Sequence, residues 1–218
     1  MISDFEELRK LFEEIDGAIS KTNFYVIGGA VLLRRGLKEV TKDIDVIVDS
    51  REEFLLTQKG LRKLGFTTKI PTRAYQHVEL SQIFVRGVAR IDLFDKVVCE
   101  GFSLSEAMKM RSERILELKH LSVYLCSDED VFLFKTFTER EGDITDCLAL
   151  ASRRPLDWKA ILRELQSQVK KGSPVWITWV GERFDVLQDR GLAIPIMKEV
   201  DRLRERYYDQ LEKSLEKQ

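Results

Sequence analysis

The chain has 218 residues, 44% of them hydrophobic, which is enough to bury one large core or two smaller ones. Lys and Arg (36) nearly balance Asp and Glu (37), so a uniformly basic nucleic-acid binder is excluded and any such contact needs a local patch. No apolar run approaches the roughly 18 residues of a membrane span, and the acidic, amphipathic start reads as a helix rather than a secretory leader. Cytoplasmic residence without membrane contact is therefore expected. Cys99, Cys126 and Cys147 lack metal or disulfide spacing and are expected as small buried apolar residues.

In chain order, "SDFEEL" offers a capping box from Ser3 to Glu6, and Phe5, Leu8, Leu11, Phe12 and Ile15 recur at helical spacing up to about Asp16. "NFYVIG" is a short strand stopping at Gly28-Gly29, and "AVLLRRG" a short helix ended by Gly36. "DIDVIV" is a second strand, followed by the helix "REEFLLTQKGLRKLG". "FTTKI" and "HVELSQIFVRG" have strand character about a break at Pro71, and "ARIDLFD" is the last clear strand of the first half. Ser103 and Glu106 suggest another capped helix, and "RILELKHLSVYLCS" one or two strands. Helices are then predicted over "SDEDVFLFKTFTER", with Ser127 and Asp130 in capping-box positions, over "DITDCLALAS", and over 158–169, 175–187 and 196–215. Trp176 and Trp179 are expected in a helical core. The order implies a mixed α/β region over 1–100 and a mostly helical region over 101–218.

The two aspartates of "DIDVIV" are the anomaly. Asp is a poor strand former, and an unpaired buried carboxylate is expensive. Strand alternation puts Asp43, Asp45 and Ile47 on one face and Ile44, Val46 and Val48 on the other. Asp92 in "RIDLF" repeats the pattern, so neighbouring strands would bring three carboxylates together. Such a cluster calls for a cation, and an oxygen-only donor set favours Mg²⁺ or Mn²⁺. Gly28-Gly29, between a strand and a helix, would let a phosphate approach backbone N–H groups. Neither GxGxxG nor GxxxxGK[ST] occurs, which disfavours a dehydrogenase or a P-loop NTPase.

Together "VIGGAVLLRRG", "TKDIDVIV" and "RIDLF" resemble the nucleotidyltransferase (polymerase β-like) superfamily. The "T-x-D-I-D" spacing and "EDVFLFKTFTEREGDITDCLAL" are most similar to its small prokaryotic branch of AbiEii-type toxin enzymes. The resemblance covers residues 24–150. It implies a mixed-sheet nucleotidyltransferase fold, with Asp43, Asp45 and Asp92 as catalytic metal carboxylates. Gly28, Gly29, Thr41 and Lys135 would bind the nucleotide, and Asp143 and Asp146 would line the cleft. The implied activity is Mg²⁺-dependent transfer of a nucleoside monophosphate from an NTP to a hydroxyl of RNA, a protein or a small molecule. The alternative is an inactive nucleotide-sensing or protein-binding module, such as a toxin–antitoxin component with a cognate partner. Read from residues alone, Lys135 is equally a solvated helix residue, Asp143 an N-cap, and Asp146 a partner of Arg140 or a solvated acid.

Overall fold

The computed structural model describes residues 2–69, 82–98 and 101–216. His77, Cys99 and the start of the expected strand from His77 lie outside the described residues. The chain divides into two compact units, Met1–Val131 and Phe132–Gln218.

The first unit is built on a mixed sheet in the order β3-β4-β5-β2-β1-β9-β8. Its strands are β1 (Thr22–Ile27), β2 (Ile44–Val48), β3 (Thr67–Lys69), β4 (Gln82–Arg86), β5 (Ala89–Asp95), β8 (Glu113–Glu117) and β9 (Leu121–Leu125). Two pairings are parallel, β2 with β5 and β1 with β9, and the other pairings are antiparallel. A separate two-stranded ribbon joins β6 (Val97–Val98) to β7 (Phe102–Ser103). The stretch expected to give one or two strands after Arg114 gives two, β8 and β9.

Helices α1 (Phe5–Asp16), α2 (Gly29–Arg34), α3 (Arg51–Lys63) and α4 (Glu106–Arg111) belong to this unit. Phe12 of α1 meets Phe24 of β1 edge to face. Phe24 points away from Tyr25, which pairs with Ile47, so α1 covers the face opposite Asp45 and Ile47. Two caps differ from the sequence expectation. Asp4, not Ser3, caps α1 by accepting from the Glu6 N–H. Ser105, not Ser103, caps α4, because Ser103 is used as the β7 partner of Val97.

Helix α5 (Asp128–Lys135) starts in the first unit and ends in the second. Ser127 and Asp130 meet at the helix start as their spacing predicts, the Asp130 N–H donating to Ser127 Oγ and that hydroxyl donating to Asp130 Oδ2. Two arginines secure the acid-rich start. Arg35 reaches Asp128 Oδ1 (3.2 Å) and Glu113 (2.8 Å), and Arg111 forks onto Asp130 at 2.6 and 3.2 Å. The helix stops earlier than predicted. Thr136 and Thr138 turn their hydroxyls back onto the Leu133 and Lys135 carbonyls, offering the chain a turn in place of another helical bond.

The second unit continues with α6 (Glu141–Arg153), α7 (Trp158–Lys171), α8 (Trp176–Asp189) and α9 (Met197–Leu215). Phe132 anchors its core, edge to face with Trp158 and 6.0 Å from Phe184. Val180, Leu165, Leu187 and Val200 complete it. Trp176 is buried as expected, whereas Trp179 is 38% exposed; both rings contact Phe137. The architecture matches the expected mixed α/β fold followed by helices. Among the described residues no helix is long and apolar enough to cross a membrane.

Candidate functional site

Strand register decides where the carboxylates go. β2 and β5 run parallel with Asp45 directly opposite Asp92, so both side chains leave the sheet on the same face. Asp43, two residues before Asp45 and just ahead of β2, shares that side. Asp92 is buried, while Asp43 and Asp45 are half-buried. Farther along this face Tyr25 and Tyr124, paired across β1 and β9, stack at 5.0 Å.

The glycine pair fits tightly against this face. β1 pairs Ile27 with Asp45, which places the next residue, Gly28, beside the Asp45 carboxylate. Gly28 has φ +69, and a Cβ there would overlap Asp45 Oδ2. At Gly29 a Cβ would crowd Thr41 Oγ1 at 2.5 Å. The absent side chains thus admit the protein's own Asp45 and Thr41. Thr41 is fixed from two sides: its backbone exchanges hydrogen bonds with Ile2, and its hydroxyl donates to the Asp43 carbonyl at 3.0 Å.

A cation already lies among the acids. Arg90 sits two residues before Asp92 and so on the same face. Its Nε and Nη2 fork onto the two Asp92 oxygens at 2.7 and 2.5 Å, and Nε stands 3.8 Å from Asp43. Sequence reasoning missed this residue, although its parity with Asp92 in "ARIDLFD" is the signal that finds it. The donor chemistry of Asp43, Asp45 and Asp92 suits a hard divalent ion, and their backbone positions share one face. As the side chains stand, no group of three His, Cys, Asp or Glu among the described residues is gathered for an ion. Arg90 occupies that place.

Lys135, Asp143 and Asp146 come together within the second unit. Lys135 is buried and donates to Asp143 at 2.8 Å, with Asp146 at 2.6 Å. Asp143 is inside α6 rather than at its cap, which is Arg140. Its carboxylate also accepts from Arg140 Nε and the Thr138 hydroxyl. Burial acts to raise the Asp143 pKa, but Lys135 and Arg140 outweigh it and hold the carboxyl below its ordinary range. Burial likewise opposes the Lys135 charge, and Asp143 and Asp146 reverse that, holding the ammonium above its ordinary value. Any phosphate approaching Lys135 has two carboxylates to compete with.

Cys126 and Cys147 are buried as expected, and burial pushes the Cys126 thiol up to about 12, leaving it without thiolate character at neutral pH.

A mixed sheet carrying acids at matched positions of adjacent strands, beside a strand–Gly-Gly–helix turn, is the arrangement that the nucleotidyltransferase resemblance implies. Residues 4–173 match the family described as "Nucleotidyltransferase of unknown function (DUF6036)", and the chain belongs to that family. No curated protein matches the chain. Among solved structures, it is similar to the antibiotic-resistance factor ANT(2'')-Ia in solution, at 12% identity and a TM-score of 0.49, over 76% of this chain and 93% of that one.

Proposed function

We propose that the protein transfers a nucleoside monophosphate from an NTP to a hydroxyl acceptor, using a divalent ion, Mg²⁺ or Mn²⁺, at Asp43, Asp45 and Asp92. The observation that carries this reading is the register of Asp45 against Asp92, with Asp43 on the same face. An ion held there would neutralise charge on the transferred phosphoryl group and the departing pyrophosphate. The chain's own part is positional. Gly28 and Gly29 keep the backbone close to the acids, and Thr41 holds the turn leading into Asp43. The acceptor falls in the class RNA, protein or small-molecule hydroxyl. A toxin-type role with a cognate antitoxin-like partner, in the cytoplasm, accords with the "T-x-D-I-D" resemblance.

The test is incubation with α-³²P-labelled NTPs, Mg²⁺ or Mn²⁺, and total RNA or cell lysate. Label should pass to an acceptor only with the divalent ion, and Asp45→Asn should reduce transfer at least 100-fold while its circular dichroism melt stays in place. Loss of the fold in Asp45→Asn would instead make the carboxylates structural. A second reading, a nucleotide-sensing or partner-binding module, draws on the Arg90 fork, which neutralises Asp92 without an ion. Nucleotide binding without any label transfer would favour it.

A further inference from the structure

Resting on the ion-binding reading above, we propose that Arg90 is a resident cation that competes with the divalent ion, so that ion binding and Arg90 release are one coupled event. The fork takes both Asp92 oxygens, at 2.7 and 2.5 Å, leaving neither in full for a second cation. The same guanidinium lies 3.8 Å from Asp43, so it screens two of the three acids at once. Without it, three carboxylates on one face would repel.

Burial decides which partner yields. The Asp92 side chain is 2% exposed and sits in a central strand between β2 and β4, whereas the Arg90 side chain is 24% exposed. Asp92 has nowhere to go; Arg90 has a path to water and a long, flexible stem. An ion entering between Asp45 and Asp92 therefore displaces the guanidinium rather than the carboxylate. The apparent ion affinity is then the intrinsic affinity multiplied by the fraction of molecules in which Arg90 is released. Arg90 sets the ion concentration at which the site fills.

The test is a calorimetric titration of Mn²⁺ alone into the metal-free full chain, wild type against Arg90→Gln. The substitution should tighten Mn²⁺ binding at least 10-fold. It should also lower the metal-free melting temperature, and saturating Mn²⁺ should recover more of that loss than it adds to wild type. A purely structural Arg90 would lower the melt with and without Mn²⁺ alike. Equal Mn²⁺ affinities in the two proteins overturn the competition while leaving the ion site standing. Absence of Mn²⁺ binding in both overturns the ion-site reading and this inference with it.

Should Arg90→Gln fail to fold, wild type carries the test by nuclear magnetic resonance. The Arg90 Nε–H signal, assigned by its disappearance in Arg90→Lys, should lose its protection from solvent exchange as Mg²⁺ is added. A signal unmoved at Mg²⁺ saturation overturns the proposal.

Discussion

Lys135 shows how much a single buried charge commits its neighbours to. Its ammonium is taken by Asp143 and Asp146 at 2.8 and 2.6 Å, with an 8% exposed side chain. Replacing it with Met removes the cation that Asp143 and Asp146 share and leaves Asp143 with Arg140. We expect a loss of about 3–5 kcal/mol in urea denaturation at neutral pH, the range for breaking one side of a buried pair. The pH dependence carries a sign. Asp143, with its folded pKa depressed, contributes stability above its unfolded pKa and loses it as pH falls through the depressed value. Lys135, with its folded pKa raised, contributes below its unfolded pKa and loses it as pH rises through the raised value. In Lys135→Met, Asp143 loses the larger of the two charges that hold its carboxyl down, so the gap from wild type should narrow as pH is lowered toward the carboxylate range. A gap that stays constant with pH would show that lost packing, not charge, dominates.

Helix α3 is the element whose sequence preference and tertiary fit conflict. Gly60 lies inside it, where Ala would be better by about 1 kcal/mol on intrinsic propensity. A Cβ at Gly60 would overlap Ile19 Cγ2 and stand 3.0 Å from the Ala18 carbonyl oxygen, in the segment between α1 and β1. Backbone yields less readily than a side-chain tip. Gly60→Ala should therefore destabilise the protein by about 1–3 kcal/mol, as overpacking does. A midpoint raised in denaturant would show the segment giving way and propensity winning. The same contrast explains what was legible in the sequence. Period-two alternation in "DIDVIV" and "RIDLF", and the glycine pair before "AVLLRRG", are local signals, and they located β2, β5 and the β1–α2 turn. The choice of Asp4 over Ser3 and Ser105 over Ser103 was not legible, because which hydroxyl or carboxylate caps depends on where pairing holds the preceding residue. At the site, parity along the strand put Asp43 and Asp45 on one side, and it takes the β2–β5 register to bring Asp92 to the same face. That register is set by backbone pairing between distant segments, and the spacing offers Arg90 as a same-face neighbour of Asp92 without stating the fork itself.

For the whole molecule, charge balance limits what kind of acceptor is held by long-range attraction. The formal net charge is −1 at pH 7. Several of the cations are already engaged: Arg35, Arg90, Arg111 and Lys135 each pair with buried aspartates. Non-specific polynucleotide binding draws its free energy from counterion release by unpaired Lys and Arg. We therefore expect affinity for random-sequence RNA at or weaker than about 10⁻⁴ M near physiological salt, with a shallow salt dependence in fluorescence anisotropy. A steep slope, corresponding to several phosphate contacts, would reveal a basic patch and move RNA to the front of the acceptor classes.

The place of β1 in the sheet has a consequence for how the chain is made. One of its edges is met by β2, close behind it in the chain, but the other waits for β9, which pairs Thr22 with Leu121 in parallel. A chain still emerging from the ribosome and not yet past Leu121 presents a largely apolar strand with a bare row of backbone donors and acceptors. Such a row is a template for a neighbour's strand. The nascent protein is then most prone to aggregate during that interval, and a segment late in the chain protects the strand that leads into the Gly28 turn.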